Sequence, residues 1–123
     1  MKMNKCEFQA LCKTYFPALT SFSYWKDDGE LWGFFNSDCD TGIVNFSTKH
    51  NILYLPDYII YSTKEGEIVG ETKNGGSKWA DGKVIRLKDI DKDSLIEELV
   101  SLQKKYKEAL VKQAKESIDK DFV

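Results

Sequence analysis

The side chains able to do chemistry are few, and several crowd into one stretch. Cys39 stands between Asp38 and Asp40, eleven positions before His50, the chain's only histidine. A thiolate activated by an imidazole, with a carboxylate to orient the ring, is the constellation of thiol catalysis. No motif in the sequence draws these groups together. His50 falls in the turn Thr48-Lys49-His50-Asn51, where a solvated surface imidazole is the ordinary outcome. A small enzyme using Asp38, Cys39, Asp40 and His50 therefore stands as an alternative to a non-enzymatic reading.

Asn36, Asp38 and Asp40 place oxygen ligands at alternate positions, as the start of a calcium loop does. Gly42 comes one residue too late for that loop's sharp turn, and Ser47 stands where the bidentate Glu belongs. A polar hairpin loop accounts for the same residues, and no metal is expected. Asn74-Gly75-Gly76-Ser77-Lys78 has the look of a phosphate loop. It lacks the G-x-x-x-x-G-K-[ST] spacing, and strand-forming residues follow it rather than a helix. No cofactor is expected.

The densest signal runs from Phe22 to Asp40. It holds the aromatic residues Phe22, Tyr24, Trp25, Trp32, Phe34 and Phe35 and the acids Asp27, Asp28, Glu30, Asp38 and Asp40. Sheet aromatics stack on bases where Lys and Arg interleave with them. Here acids border them, so a nucleic acid is not the expected partner. An acidic rim around aromatic residues suits a basic protein surface by charge complementarity. Trp79, in a glycine-rich loop, is a further contact candidate because tryptophan is enriched at binding hot spots. The partner-binding candidates are Trp25, Asp27, Asp28, Glu30, Trp32, Asp38, Asp40 and Trp79. A small-ligand or nucleotide-binding sheet, with Trp25, Trp32 or Trp79 lining its pocket, is the second reading.

Positioning these residues requires a sheet. Asn4 to Phe16 predicts an amphipathic helix, with Asn4 and Glu7 as a capping box and Phe8, Leu11, Cys12, Tyr15 and Phe16 on one face. Pro17 ends it. Ser21–Lys26 alternates as a strand. Asp27-Asp28-Gly29 is a hairpin turn, and Glu30–Asn36, apolar on both faces, reads as a central covered strand. Short strands follow at Ile43–Ser47, Ile52–Tyr54, Tyr58–Thr63, Glu67–Glu71 and Lys83–Lys88, with a loop at Lys73–Gly82. Ser94 and Glu97 predict a second capping box. Leu95, Leu99, Leu102, Tyr106 and Ala109 then repeat at helical spacing, and the helix runs on to Lys120. The order predicts an α+β fold: an N-terminal helix, an antiparallel sheet of about six or seven strands, and a long C-terminal helix packed on the sheet.

The totals set the frame. The chain has 123 residues, a formal net charge of −2 and 41% hydrophobic residues, enough for a single domain over 1–123 with its own core. There is no large basic excess of the kind duplex nucleic acid calls for. Arg86 is the one arginine among 18 cationic residues, so extensive bidentate recognition of phosphate or guanine is not expected. Three cysteines, none in a CxxC pair, and no apolar leader suit reduced thiols in the cytoplasm. No apolar run reaches the roughly 18 residues of a membrane helix. The lysine-rich distal half of the last helix makes self-association into a homodimer a second candidate contact. The sequence thus predicts a small cytoplasmic protein–protein interaction module, of a character that suits an accessory protein of a phage or other mobile element.

Overall fold

The first helix forms where its cap is built. The Asn4 side chain accepts the Glu7 N–H at 2.8 Å, and the Glu7 carboxylate accepts the Asn4 N–H in return. In this computed structural model the helix, α1, spans Lys5–Tyr15. Residues 3–37, 42–62, 66–71 and 83–121 are described, with side chains as far as residue 116. Seven strands follow among them: β1 (Ser21–Trp25), β2 (Glu30–Phe34), β3 (Val44–Ser47), β4 (Ile52–Leu55), β5 (Tyr58–Ser62), β6 (Glu67–Glu71) and β7 (Lys83–Arg86). A short 3₁₀ turn at Leu87–Asp89 leads into the last helix, α2, at Lys92–Asp121. The chain has the expected α+β architecture.

All described strand pairs are antiparallel, and the described strands divide into two sheets. One has five strands in the order β1-β2-β3-β4-β7, and β5 and β6 form a separate two-stranded hairpin. Pro56 explains the division. It follows β4 directly, has no N–H to carry a ladder onward, and turns the chain out of the large sheet. The hairpin closes over this bend: Asp57 N–H donates to the Glu71 carbonyl at 2.9 Å, and a Cβ on Gly70 would stand 3.1 Å from Pro56 Cβ. The place beside β4 is left to β7.

The strand order also corrects one expectation. β2 is second from the edge, and its residues alternate between half-buried and buried. The strand buried along its whole length is β3, Val-Asn-Phe-Ser, at the middle of the sheet. Position in the sheet, rather than apolar content, decides which strand is covered on both faces.

Both helices lie on one face of the large sheet. Phe8 of α1 stacks on Phe46 of β3 with ring centroids 5.3 Å apart. Leu95, Leu99, Leu102 and Ala109 of α2 join Leu31, Val44, Leu53 and Leu55 in the core. Each of these leucine and valine side chains contributes about 1.5–3 kcal/mol when fully buried, and the Ala109 methyl about 0.8 kcal/mol. The β5–β6 hairpin packs along α2, with Ile59 in the same core. Polar contacts fix the assembly: Ala18 N–H donates to Gln103 Oε1 at 2.9 Å, and Lys105 Nζ donates to the Asp57 carbonyl at 3.0 Å. The last helix opens two residues before the expected Ser94. Asp91 caps it, accepting the Ser94 hydroxyl at 2.6 Å together with the N–H groups of Asp93 and Ser94. A carboxylate takes several donors at once, so Ser94 becomes a donor to the cap instead of the cap itself.

Candidate functional site

The face of the large sheet opposite the helices is built from alternate residues of five strands. Register places Trp25, Glu30, Ser47, Ile52 and Arg86 in one cross-strand row. Ser23, Trp32, Asn45, Tyr54 and Val84 form the next. The intervening positions, such as Phe22, Leu31, Phe46 and Leu53, point into the core. Period-2 alternation therefore sends one tryptophan of each of the first two strands to the outer face.

Exposure across this face is graded. Trp25 is 57% exposed, Val84 47%, and Trp32 and Tyr54 are half-buried. Trp32 lies against Gly42, where an added Cβ would collide with the indole ring. The glycine lets backbone stand where a side chain would push the tryptophan away. Between Trp32 and Tyr54, Asn45 is 2% exposed, and its Nδ2 has no hydrogen-bond partner among the described residues. An unpaired buried amide is costly, and this one lies in the cross-strand row directly between Trp32 and Tyr54.

The acids stand at one end of the first row. Lys26, Asp27, Asp28 and Gly29 make the β1–β2 turn, with Gly29 at φ +64°. Gly29 O accepts the Thr48 N–H at 2.8 Å and the Thr48 hydroxyl at 2.7 Å, joining this turn to the next. Asp27 and Asp28 are exposed and Glu30 is half-buried beside Trp25. Tyr24, on the helix face of β1, is roofed by the Lys5 ammonium 3.3 Å from its ring centroid, a cation–π contact.

The structure thus brings together Trp25, Asp27, Asp28, Glu30 and Trp32. Asp38, Asp40 and Trp79, and with them Cys39 and the Asn74–Lys78 segment, lie outside the described residues. His50 sits exposed in its turn, its N–H donating to Ser47 Oγ at 3.2 Å. Among the described residues no carboxylate pairs with its ring, and no group of three or more His, Cys, Asp or Glu is placed to hold a metal ion. Cys6 is exposed and Cys12 buried, both as free thiols. No described helix is long and apolar enough to cross a membrane.

Sequence reasoning missed the middle of the face. Asn45, Tyr54 and Val84 come from strands that look like ordinary core strands. Their alternation was visible in Val44-Asn45-Phe46-Ser47 and Ile52-Leu53-Tyr54-Leu55, but not which face the helices would leave uncovered. No family model, curated protein or solved structure matches the chain.

Proposed function

We propose that this chain is a protein-docking module, and that it docks through the outer face of the five-stranded sheet and the tip of the β1–β2 hairpin. The observation that carries the reading is Trp25: it is 57% exposed, on a face where neither helix packs, next to Glu30 and the exposed Asp27 and Asp28. A large aromatic ring left in water beside charged rim residues is the usual composition of a binding hot spot. Trp32 and Tyr54 extend the apolar surface inward. β1 is an edge strand, and Ser21-Phe22-Ser23-Tyr24-Trp25 carries no charge or proline of the kind that protects exposed edges. A partner strand can therefore add to it through main-chain hydrogen bonds. The acids match a partner with a basic rim, which would speed association and fix orientation.

The test uses Trp25→Ala and the triple variant Asp27→Asn/Asp28→Asn/Glu30→Gln. A partner captured from lysate and then purified should bind the folded Trp25→Ala protein at least ~30-fold more weakly, the effect of a hot-spot residue. The triple variant should slow association and flatten its salt dependence. A partner that binds both folded variants as tightly as the parent places the docking surface elsewhere.

A further inference from the structure

A second cluster of polar side chains occupies the opposite end of the Trp25 row. His50, Asn51, Ile52, Arg86 and Lys88 line an open pocket of about 400 Å³. Local hydrogen bonds build it. His50 N–H is held by Ser47 Oγ, and Leu87 N–H donates to the Asn51 carbonyl at 2.8 Å. Asn51 takes φ +56°, a left-handed turn that asparagine tolerates better than most residues. The β3–β4 turn is thereby pinned to the end of β7 and the 3₁₀ turn beyond it. Four nitrogen-bearing side chains from three segments, His50 and Asn51, Arg86, and Lys88, line the pocket together with the apolar Ile52.

The charges in this pocket are left largely unspent. Arg86, the chain's one arginine, has a single ion-pair partner among the described residues, Asp89 at 3.9 Å, with side chains 70% and 60% exposed. Such a pair is worth little in water. Lys88 and the His50 ring have no ion-pair partner among the described residues. Lys83, at the other end of the same strand, is by contrast held by Glu98. Glu30 shares the row but lies three strands from Arg86, about 14 Å at 4.8 Å per strand. It does not neutralise the pocket.

We propose that this pocket binds the phosphate group of a small, freely diffusing phosphate monoester. Arg86 offers a planar fork for two oxygens, Lys88 a point charge, and His50 and Asn51 side-chain N–H donors. A phosphate monoester carries about −1.5 to −2 charges and three acceptor oxygens. It uses this set of donors more fully than a carboxylate would. The organic part of the ligand rests on Ile52, next to Tyr54 on the same strand face. The volume falls within the range of about 300–1,000 Å³ common to small-ligand sites. The inference does not depend on the docking reading, because the pocket uses none of Trp25, Asp27, Asp28 or Trp32.

Titration calorimetry on the full chain tests it, with inorganic phosphate, adenosine 5′-monophosphate, adenosine and acetate as probes at physiological ionic strength. Vesicles containing phosphatidic acid form a separate arm. The two soluble phosphates should bind, and adenosine and acetate should bind at least ~10-fold more weakly, since they lack the dianion. Arg86→Ala and Lys88→Ala should each weaken phosphate binding ~10-fold or more, the loss of a charge-assisted hydrogen bond. Arg86→Lys should fall between them and the parent, and Asp89→Asn should bind more tightly. Lys112→Ala, on the far part of α2, should leave binding unchanged. All four positions are exposed, so circular dichroism should show folded variants. The proposal is overturned by no heat with either soluble phosphate at ~10 mM, by equal losses in Lys112→Ala and Arg86→Ala, or by binding confined to the vesicles.

Discussion

Among individual residues, the two described cysteines show how burial divides identical chemistry. Cys12 is fully enclosed in the core, and burial pushes its thiol up to about 12 from an ordinary value of 9.0. Cys6, six positions earlier on the same helix, faces water. Iodoacetamide should therefore alkylate Cys6 in the native protein and leave Cys12 unmodified until the chain unfolds, as peptide mass mapping would show. The same burial has a pH signature. The folded state holds the Cys12 proton more tightly than the unfolded state, so this contribution is fully present below pH 9 and is lost as the pH rises toward 12. Stability should fall by up to roughly 1.4 kcal/mol per pH unit across that window. Cys12→Ala, though destabilised by its cavity, should show a shallower decline in denaturant midpoint over the same range. A slope identical to the parent's would assign the alkaline loss to other groups. Six positions apart on one helix, the two thiols fall on different faces. Which face met the core was decided by Phe8 and Phe16 on the Cys12 side.

Among elements, the start of α2 is where local and tertiary information meet. The Ser94–Glu97 pattern signalled a helix start, and the observed cap is Asp91. Its carboxyl is held below the usual carboxylate range by the Ser94 hydroxyl, and by the N–H groups of Asp93 and Ser94. A depressed pKa means that the stabilisation is present at neutral pH and is lost as the pH falls through the carboxylate range. Asp91→Ala should lower the melting midpoint at pH 7, and the gap to the parent should narrow in acid. Ser94→Ala should have the smaller effect, since it leaves the carboxylate and its backbone donors in place. An equal or larger loss in Ser94→Ala would return the cap to the serine. The sequence could not rank the two because both residues cap helices well. The choice rests on how many donors the chain brings within reach of one carboxylate.

Over the whole molecule, α2 spans 30 residues, about 45 Å at 1.5 Å per residue, and ties both sheets together. Its packing extends past Tyr106. Ala109 is buried, and Leu110 and Gln113 line a groove with Phe35 and Ile68. A chain ending at Tyr106 should melt several degrees below one ending at Glu116, because the buried Ala109 and the groove residues Leu110 and Gln113 fall between those points. Equal midpoints for the two would mean that the stretch between them adds no stability. The helix also leaves Val100 and Val111 exposed, at 49% and 56%, eleven positions apart and so on nearly one face. Light scattering on the full chain and on the Glu116 chain separates self-association through the distal end from contact through this valine face. A dimer lost on truncation implicates the end, and one retained by both chains points to the valines.

What the amino-acid sequence determined is whatever depends on near neighbours. The Asn4 cap, the turn at Gly29, the alternation of Ser21–Trp25 and the leucine stripe of α2 all arise from contacts within a few residues, and each was legible. The tertiary structure decided which sheet face the helices cover. It chose β3 as the strand buried throughout, sent β5 and β6 to a separate hairpin at Pro56, and left Trp25 in water while Trp32 settled on Gly42. It also joined His50, near the middle of the chain, to Arg86 and Lys88 across a strand pair. Alternation separates two faces but does not label them inside and outside. That label depends on where two helices, far apart in sequence, find the larger apolar surface to bury. The aromatic, acidic stretch from Phe22 onward is therefore both core and candidate contact surface, divided residue by residue between the two faces.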